Sequence, residues 1–241
     1  PMKYLSTRDK TLHLSAAEAI KMGLSRDGGL FTPERFPSLT EEEVRSLCPM
    51  TYQQRAAFVM GKFLDDFTAE ELESFAASAY SEEKFDTPAV APLRQVGGST
   101  WCLELWHGPT SAFKDMALQM LPLLLSASLR KTGEDKTACI LVATSGDTGK
   151  AAMEGFADVP QTKIMVFYPR DGVSEIQKLQ MVTQEGENVG VCAVQGNFDD
   201  AQTGVKRIFS DGEIREELER RGCFLSSANS INWGRILPQV V

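Results

Sequence analysis

The chain has 241 residues, 42% hydrophobic and 24% charged, with 25 Lys plus Arg against 33 Asp plus Glu, a formal net charge of −8. These proportions exclude collagen, coiled coil and wholesale disorder. The acidic balance argues against a nucleic-acid or anionic-membrane partner, since both need clustered Lys and Arg. The five cysteines form no C-x-x-C pair, and only His13 and His107 are available as histidine ligands, so no metal signature is present. That cysteine usage fits a reducing compartment. Residues 1–10 are polar and carry no secretory apolar region. The longest apolar stretch, residues 118–129, is interrupted by Gln119, Pro122, Ser126 and Ser128 and is too short to span a bilayer. A cytoplasmic protein is expected.

Residues 15–80 read mainly as helices. Ser15 caps a short helix that stops at Gly23, and Asp27-Gly28-Gly29 is a turn signal. Thr40 with Glu43, and Thr68 with Glu71, have the S/T-x-x-E spacing of a capping box. A helix over residues 52–64 would place Ala56, Phe58, Val59 and Phe63 near one face. Leu72, Phe75, Ala76 and Ala79 recur at helical period in the next helix. These stripes read as core, and no residue among them is a catalytic candidate on chemistry alone.

Residues 87–92, Thr-Pro-Ala-Val-Ala-Pro, read as a linker, because each proline pushes its predecessor out of helix. The expected division is a mainly helical domain over residues 1–92 and an α/β domain over residues 93–241. In the second part, strands are predicted at 101–105, 138–143, 163–168 and 189–195. Helices are predicted at 113–131, 148–157, 173–185, 199–210 and 213–221. Near-continuous apolar strands alternating with helices imply a mostly parallel sheet with flanking helices.

Two short segments carry chemistry. In His107-Gly108-Pro109-Thr110-Ser111-Ala112-Phe113-Lys114-Asp115, Lys114 falls in the first turn of the predicted helix. The helix dipole there disfavours a cation, and a neutral amine is the form needed for a Schiff base. An exposed lysine that snorkels away from the helix is the alternative. The second segment, Thr144-Ser145-Gly146-Asp147-Thr148-Gly149-Lys150, follows a predicted strand and opens a helix. Its amides and hydroxyls could hold a carboxylate or phosphate beyond the strand ends, or simply form a tight capped turn. It is not a Walker A loop: Thr144 stands where glycine is required and Ala151 where Ser or Thr is required. Ser111-x-x-Lys114 and Lys131-Thr132-Gly133 match two motifs of penicillin-recognising hydrolases. No S-D-N accompanies them, and Gly133 reads as an ordinary helix stop.

The segment Leu103-Glu104-Leu105-Trp106-His107-Gly108-Pro109-Thr110 running into Ala112-Phe113-Lys114-Asp115 resembles the cofactor-lysine segment of the threonine synthase family. Residues 145–149 resemble the loop that follows it. The resemblance extends to Tyr4-Leu5-Ser6-Thr7-Arg8, to residues 23–30, to Tyr168-Pro169-Arg170, to residues 196–202 and to residues 229–236.

It implies an enzyme of fold type II that uses pyridoxal 5'-phosphate and converts O-phospho-L-homoserine and water into L-threonine and phosphate. Lys114 would bind the cofactor covalently and shuttle protons, with Phe113 beside it. Thr144, Ser145, Gly146, Asp147, Thr148 and Gly149 would hold the substrate carboxylate, and Asn232 and Arg235 would contact the substrate or its phosphate. The family also carries a later glycine- and asparagine-rich loop for the cofactor phosphate, which this chain does not reach. Gly196-Asn197-Phe198 looks like a fragment of such a loop, but Asp199-Asp200 would repel phosphate. The chain is therefore expected to be an N-terminal portion that is inactive alone, with a natural short paralogue as the alternative. The alternatives are another fold-type-II lyase, such as a hydroxy-amino-acid dehydratase, or a non-catalytic module that binds a phosphorylated metabolite.

Overall fold

The computed structural model describes residues 1–241. Its first part opens with a small antiparallel pair, β1 (Tyr4–Ser6) and β2 (Phe31–Pro33), in which Tyr4 lies opposite Pro33. Between them lies α1 (Ala16–Met22). The Ser15 hydroxyl accepts from the Glu18 amide, and the Glu18 carboxylate accepts from the Ser15 amide. The helix stops at Gly23, whose φ of 69° suits glycine. The same reciprocal cap starts α2 (Glu41–Leu47) at Thr40, α3 (Tyr52–Gly61) at Thr51 and α4 (Ala69–Ala79) at Thr68. Each cap satisfies amides that have no partner inside the helix. On α3 the buried face is Ala56, Ala57 and Met60; Phe58 and Val59, expected there, are only half-buried.

The strand expected at 101–105 does not join the main sheet. Instead β3 (Leu93–Gly97) and β4 (Thr100–Leu103) form a separate antiparallel hairpin, turned through Gly97 and Gly98, both at positive φ. The single helix expected over 113–131 is also broken, into α5 (Asp115–Leu118) and α6 (Leu121–Lys131). Pro122 has no N–H to give the Leu118 carbonyl, so the ladder cannot run through.

A regular α/β succession follows: β5 (Thr137–Ala143), α7 (Asp147–Phe156), β6 (Thr162–Pro169), α8 (Glu175–Val182), β7 (Val189–Val194), α9 (Phe198–Ser210), α10 (Gly212–Arg220), β8 (Cys223–Ser226) and α11 (Trp233–Ile236). The sheet order is β7-β6-β5-β8, with every neighbouring pair parallel. The chain moves outward from β5 to β7, then crosses back to lay β8 on the other side of β5. The loops after β5 and β8 therefore emerge side by side at the carboxyl ends of adjacent parallel strands, where ligands bind in such sheets.

One face of the sheet is fully covered. Ala138, Ile140, Val142, Ile164 and Val166 join a core cluster of 41 buried residues that runs from Met2 to Leu237, on both sides of residue 92. The other face meets α9 through a smaller cluster, Ala143 with Ala201 and Val205, and leaves Met165 38% exposed. No helix is long and apolar enough to cross a membrane.

Two glycines test this packing with opposite signs. A methyl group at Gly155 of α7 would overlap the Leu118 carbonyl oxygen at the α5–α6 break, whereas Gly204 of α9 has nothing within 4 Å. Gly155→Ala is expected to destabilise the fold by about 1–3 kcal/mol, and Gly204→Ala to stabilise it by about 0.5–1 kcal/mol. Thermal denaturation of both variants checks the pair, and a Gly155→Ala melting temperature at or above wild type would contradict the packing.

Candidate active site

A cavity of about 1090 Å³ opens at the β5/β8 crevice. Its walls include Thr144, Ser145 and Thr148 after β5, and Ser227, Asn229 and Ser230 after β8. Seven cations line it, Arg8, Lys21, Arg26, Lys136, Lys206, Arg215 and Arg235, against two carboxylates, Glu134 and Glu219. An acidic chain has thus gathered positive charge around one concave space.

The loop after β5 is braced by Thr144. Its buried hydroxyl oxygen accepts from the Gly146 and Gly149 amides, both at 2.9 Å, and the Gly149 amide also reaches the Gly146 carbonyl. The amides of Ser145, Asp147 and Thr148 make no hydrogen bond within the protein. Of the two readings left open by the sequence, an anion-binding loop and a tight capped turn, the amides from Ser145 to Gly149 divide between both: three are free and two are spent inside the turn. Gly146 has φ of 144°, and a side chain there would overlap Gln177. Gly149 is buried against Thr144 and Val166.

Lys114 is the N-cap of α5 rather than a residue of a long helix's first turn, and its carbonyl accepts from the Ala117 and Leu118 amides. Its amine lies 3.7 Å from the Asp147 carboxylate and 4.1 Å from the centre of the Phe113 ring. The other Asp147 oxygen accepts from the Gln177 side-chain amide at 2.8 Å. Lys114 does not line the large cavity. Ser145 and Thr148 do, and Asp147 between them faces the lysine.

The placement of Lys114 follows from its neighbour. Asp115 is fully buried and accepts from the Thr110 amide at 2.8 Å and the Thr110 hydroxyl at 2.7 Å. Burial pushes its carboxyl up from the ordinary value, against the pull of these hydrogen bonds. Gly108 sits so close that a Cβ there would lie 2.6 Å from the Asp115 Cβ. Residues 108–115 are thereby closed into one tight loop. Sequence reasoning did not assign Thr110 or Asp115; the available signal was a lone acid directly before an apolar run. It also did not assign His107, whose ring bridges Asp86 at 2.5 Å and Glu104 at 2.7 Å and ties the loop to the hairpin.

Asn232 and Arg235, grouped by sequence, do different things. Asn232 is buried outside the cavity wall. Its amide donates to the Ile20 and Ser227 carbonyls, both at 3.0 Å, and its oxygen caps α11 by accepting from the Gly234 amide. Its polar atoms are used, so it fixes the chain after β8. Arg235 lines the cavity and is 4% exposed. It donates to the Ala228 carbonyl at 2.6 Å, its Nε has no partner, and no carboxylate pairs with it. Burial alone pushes the guanidinium down to about 10, so it keeps its charge at neutral pH. A buried cation without a counter-charge is costly unless a ligand supplies one. At residues 196–200, Asn197 and Asp200 cap α9 reciprocally, so acidic side chains occupy that helix start.

Residues 3–80 match the family model described as the threonine synthase N terminus. The whole chain is 42% identical to threonine synthase of Pseudomonas aeruginosa and covers 50% of that protein. Over 93% of its length it is 41% identical to human threonine synthase-like 1, of which it covers 31%. Among solved structures, it superposes on the pyridoxal-phosphate-bound threonine synthase of Brucella melitensis with a TM-score of 0.88 at 41% identity, covering 100% of this chain and 50% of that one. For yeast threonine synthase the TM-score is 0.86 at 35% identity, covering 98% and 48%. The chain spans about half the length of the threonine synthases it matches.

The His107 bridge carries a pH signature. The hydrogen bonds to Glu104 and then Asp86 raise its pKa above the ordinary 6.5. A raised histidine pKa gives stability that is fully present below the unfolded value and lost as pH rises through the folded one. The melting-temperature gap between wild type and His107→Gln is therefore expected to be widest near about pH 6 and to shrink towards about pH 8.5. A gap independent of pH would contradict the bridge.

Proposed function

We propose that this chain, which carries the threonine synthase N-terminal domain and resembles threonine synthases over its remaining length, supplies the N-terminal half of a threonine synthase. The reaction converts O-phospho-L-homoserine and water to L-threonine and phosphate. Residues 1–92 form its mainly helical part and residues 93–241 its α/β part, a fold-type-II arrangement. The five free cysteines fit a reducing, cytoplasmic setting.

One observation carries the reading. The Lys114 amine stands 3.7 Å from Asp147, in the loop whose free amides border the crevice at the strand ends. A ligand that reaches both would meet a lysine amine and the three free amides of the turn together.

The residues present fit pyridoxal 5'-phosphate. Lys114 is a largely shielded amine beside the Phe113 ring, and Asp147 joins it to the loop whose Ser145 and Thr148 face the cation-lined cavity. When bound, the cofactor supplies an electron sink for negative charge on substrate carbon. Lys114, with Phe113 beside it, would hold it. The free amides of Ser145, Asp147 and Thr148 take the substrate carboxylate, as amides at a helix start do. Thr144, Gly146 and Gly149 shape that turn, and Asn232 anchors the segment that carries Arg235. Arg235 offers the phosphate a planar, charged donor set. Lys114 moves protons at the substrate's α, β and γ carbons: the α and β carbons each give one up, phosphate leaves the γ carbon, which gains a proton to become the methyl group, water adds its hydroxyl at the β carbon, and the α carbon takes its proton back. Asp147 keeps the amine within reach of those carbons.

The full product of the gene encoding this chain, supplied with cofactor, is expected to release phosphate from O-phospho-L-homoserine and form L-threonine in equal amounts. Lys114→Ala should lower turnover by about a thousandfold or more, the scale of losing a residue that both bonds the cofactor and transfers protons. Release of a keto acid and ammonia from hydroxy-amino acids instead would identify a dehydratase. Tight phosphate-ester binding without turnover would identify a binding module.

A further inference from the structure

The motifs at residues 4–8 and 23–30 lie outside the Lys114 chemistry, yet the fold brings both to the cavity. Arg8, Ser25, Arg26 and Gly28 form a wall of it, and Ser145, Thr148 and Arg235 form others. This corner is built with care. The Ser6 hydroxyl donates to the Asp27 carboxylate at 2.9 Å, and the Gly29 amide donates to the same carboxylate at 2.7 Å. The Ser25 amide closes the turn on the Gly29 carbonyl at 3.0 Å. With its carboxylate so engaged, Asp27 offers Arg8 only its backbone carbonyl, to which the guanidinium donates at 2.9 Å. The guanidinium lies against Gly28, where a Cβ would be 2.9 Å from its Nη1 and where φ is 76°. The turn thus holds the Arg8 guanidinium over Gly28, where the positive φ favours glycine.

Cations outnumber carboxylates on this wall, although the Asp27 carboxylate lies near enough to Arg8 to feel its charge. Lys21 is paired with Glu134 at 3.4 Å, but no carboxylate pairs with Arg8, Arg26 or Arg235. Guanidinium groups lining one space match a phosphate dianion, which accepts bidentate bonds, better than a carboxylate already served by backbone amides.

We propose that Arg8, assisted by Arg26, is a specificity-determining residue that grips the substrate's phosphate opposite Arg235. The carboxylate end of the substrate lies at residues 145–148. The site then selects a phosphorylated amino acid over its free alcohol. This rests on the threonine synthase reading given above.

The test compares wild type with Arg8→Ala, Arg8→Lys and Arg26→Ala in the full, cofactor-loaded gene product, with melting temperature as the folding control. Arg26→Ala removes an exposed side chain that makes no hydrogen bond. In Arg8→Ala, KM for O-phospho-L-homoserine and the inhibition constant of inorganic phosphate are expected to rise together by about ten- to a hundredfold, the range of a charge-assisted hydrogen bond. Inhibition by L-homoserine, which has no phosphate, should stay unchanged. Arg8→Lys should recover part of the loss, and Arg26→Ala should move in the same direction by less. An unchanged phosphate inhibition constant, or equal losses for phosphate and L-homoserine, overturns the proposal. If wild type makes no threonine, the enzymatic reading fails. Calorimetric titration with inorganic phosphate then decides this inference separately: binding by wild type and not by Arg8→Ala supports it, and equal binding or none overturns it.

Discussion

A buried carboxylate sets the geometry on which the candidate active site depends. Asp115 is removed from water and compensated chiefly by Thr110, which donates both its amide and its hydroxyl. Leaving a carboxylate unsatisfied in such a place costs several kcal/mol, so the clasp and the fold form together or not at all. Because Asp115 is also the first residue of α5, the clasp fixes where that short helix begins, and with it the direction of Lys114. Gly108 is required beneath it for want of space, and His107 ties the same loop to Asp86 and Glu104. The motif from His107 to Asp115 is thus a mechanical unit whose output is the position of one amine.

The parallel sheet supplies the other half of the site. With β8 placed beside β5 on the side away from β6, the loops after these two strands lie next to each other, and Thr144, Ser145 and Thr148 share a cavity with Ser227, Asn229 and Arg235. Thr144 spends two amides to stiffen the first loop and leaves three others free. Asn232 spends its side chain to tie the second loop to the end of α1, which frees Arg235 to face the cavity. Both loops show polar groups divided between holding the structure and facing a ligand. The net charge of −8 and the cation-lined cavity are compatible because most of the acidic residues lie elsewhere and only Glu134 and Glu219 join the seven cations of the wall.

Much of this was legible in the sequence wherever the determinants are local. Capping boxes at Ser15, Thr40 and Thr68 mark helix starts, because a cap is a four-residue interaction. The alternation of strands and helices from residue 137 onward announces the parallel sheet, because apolar runs there are long enough to read. What was not legible depends on distant partners. β1, β2 and β8 are three or four residues long and exist only through pairing. β4 reads as a strand, but nothing local says that it pairs with β3 across Gly97-Gly98 rather than entering the sheet. Asn232 and Arg235, three residues apart, look alike as polar candidates. Only burial and hydrogen bonding separate an anchor from an unpaired cation.

The account turns on Lys114 being the amine that meets the cofactor. The most direct measurement is borohydride reduction of the cofactor-loaded protein, followed by protease digestion and mass mapping of the phosphopyridoxyl label. The account predicts a single labelled site, Lys114, with labelling lost in Lys114→Arg. A label on another lysine, or stoichiometric labelling that survives the substitution, would contradict it.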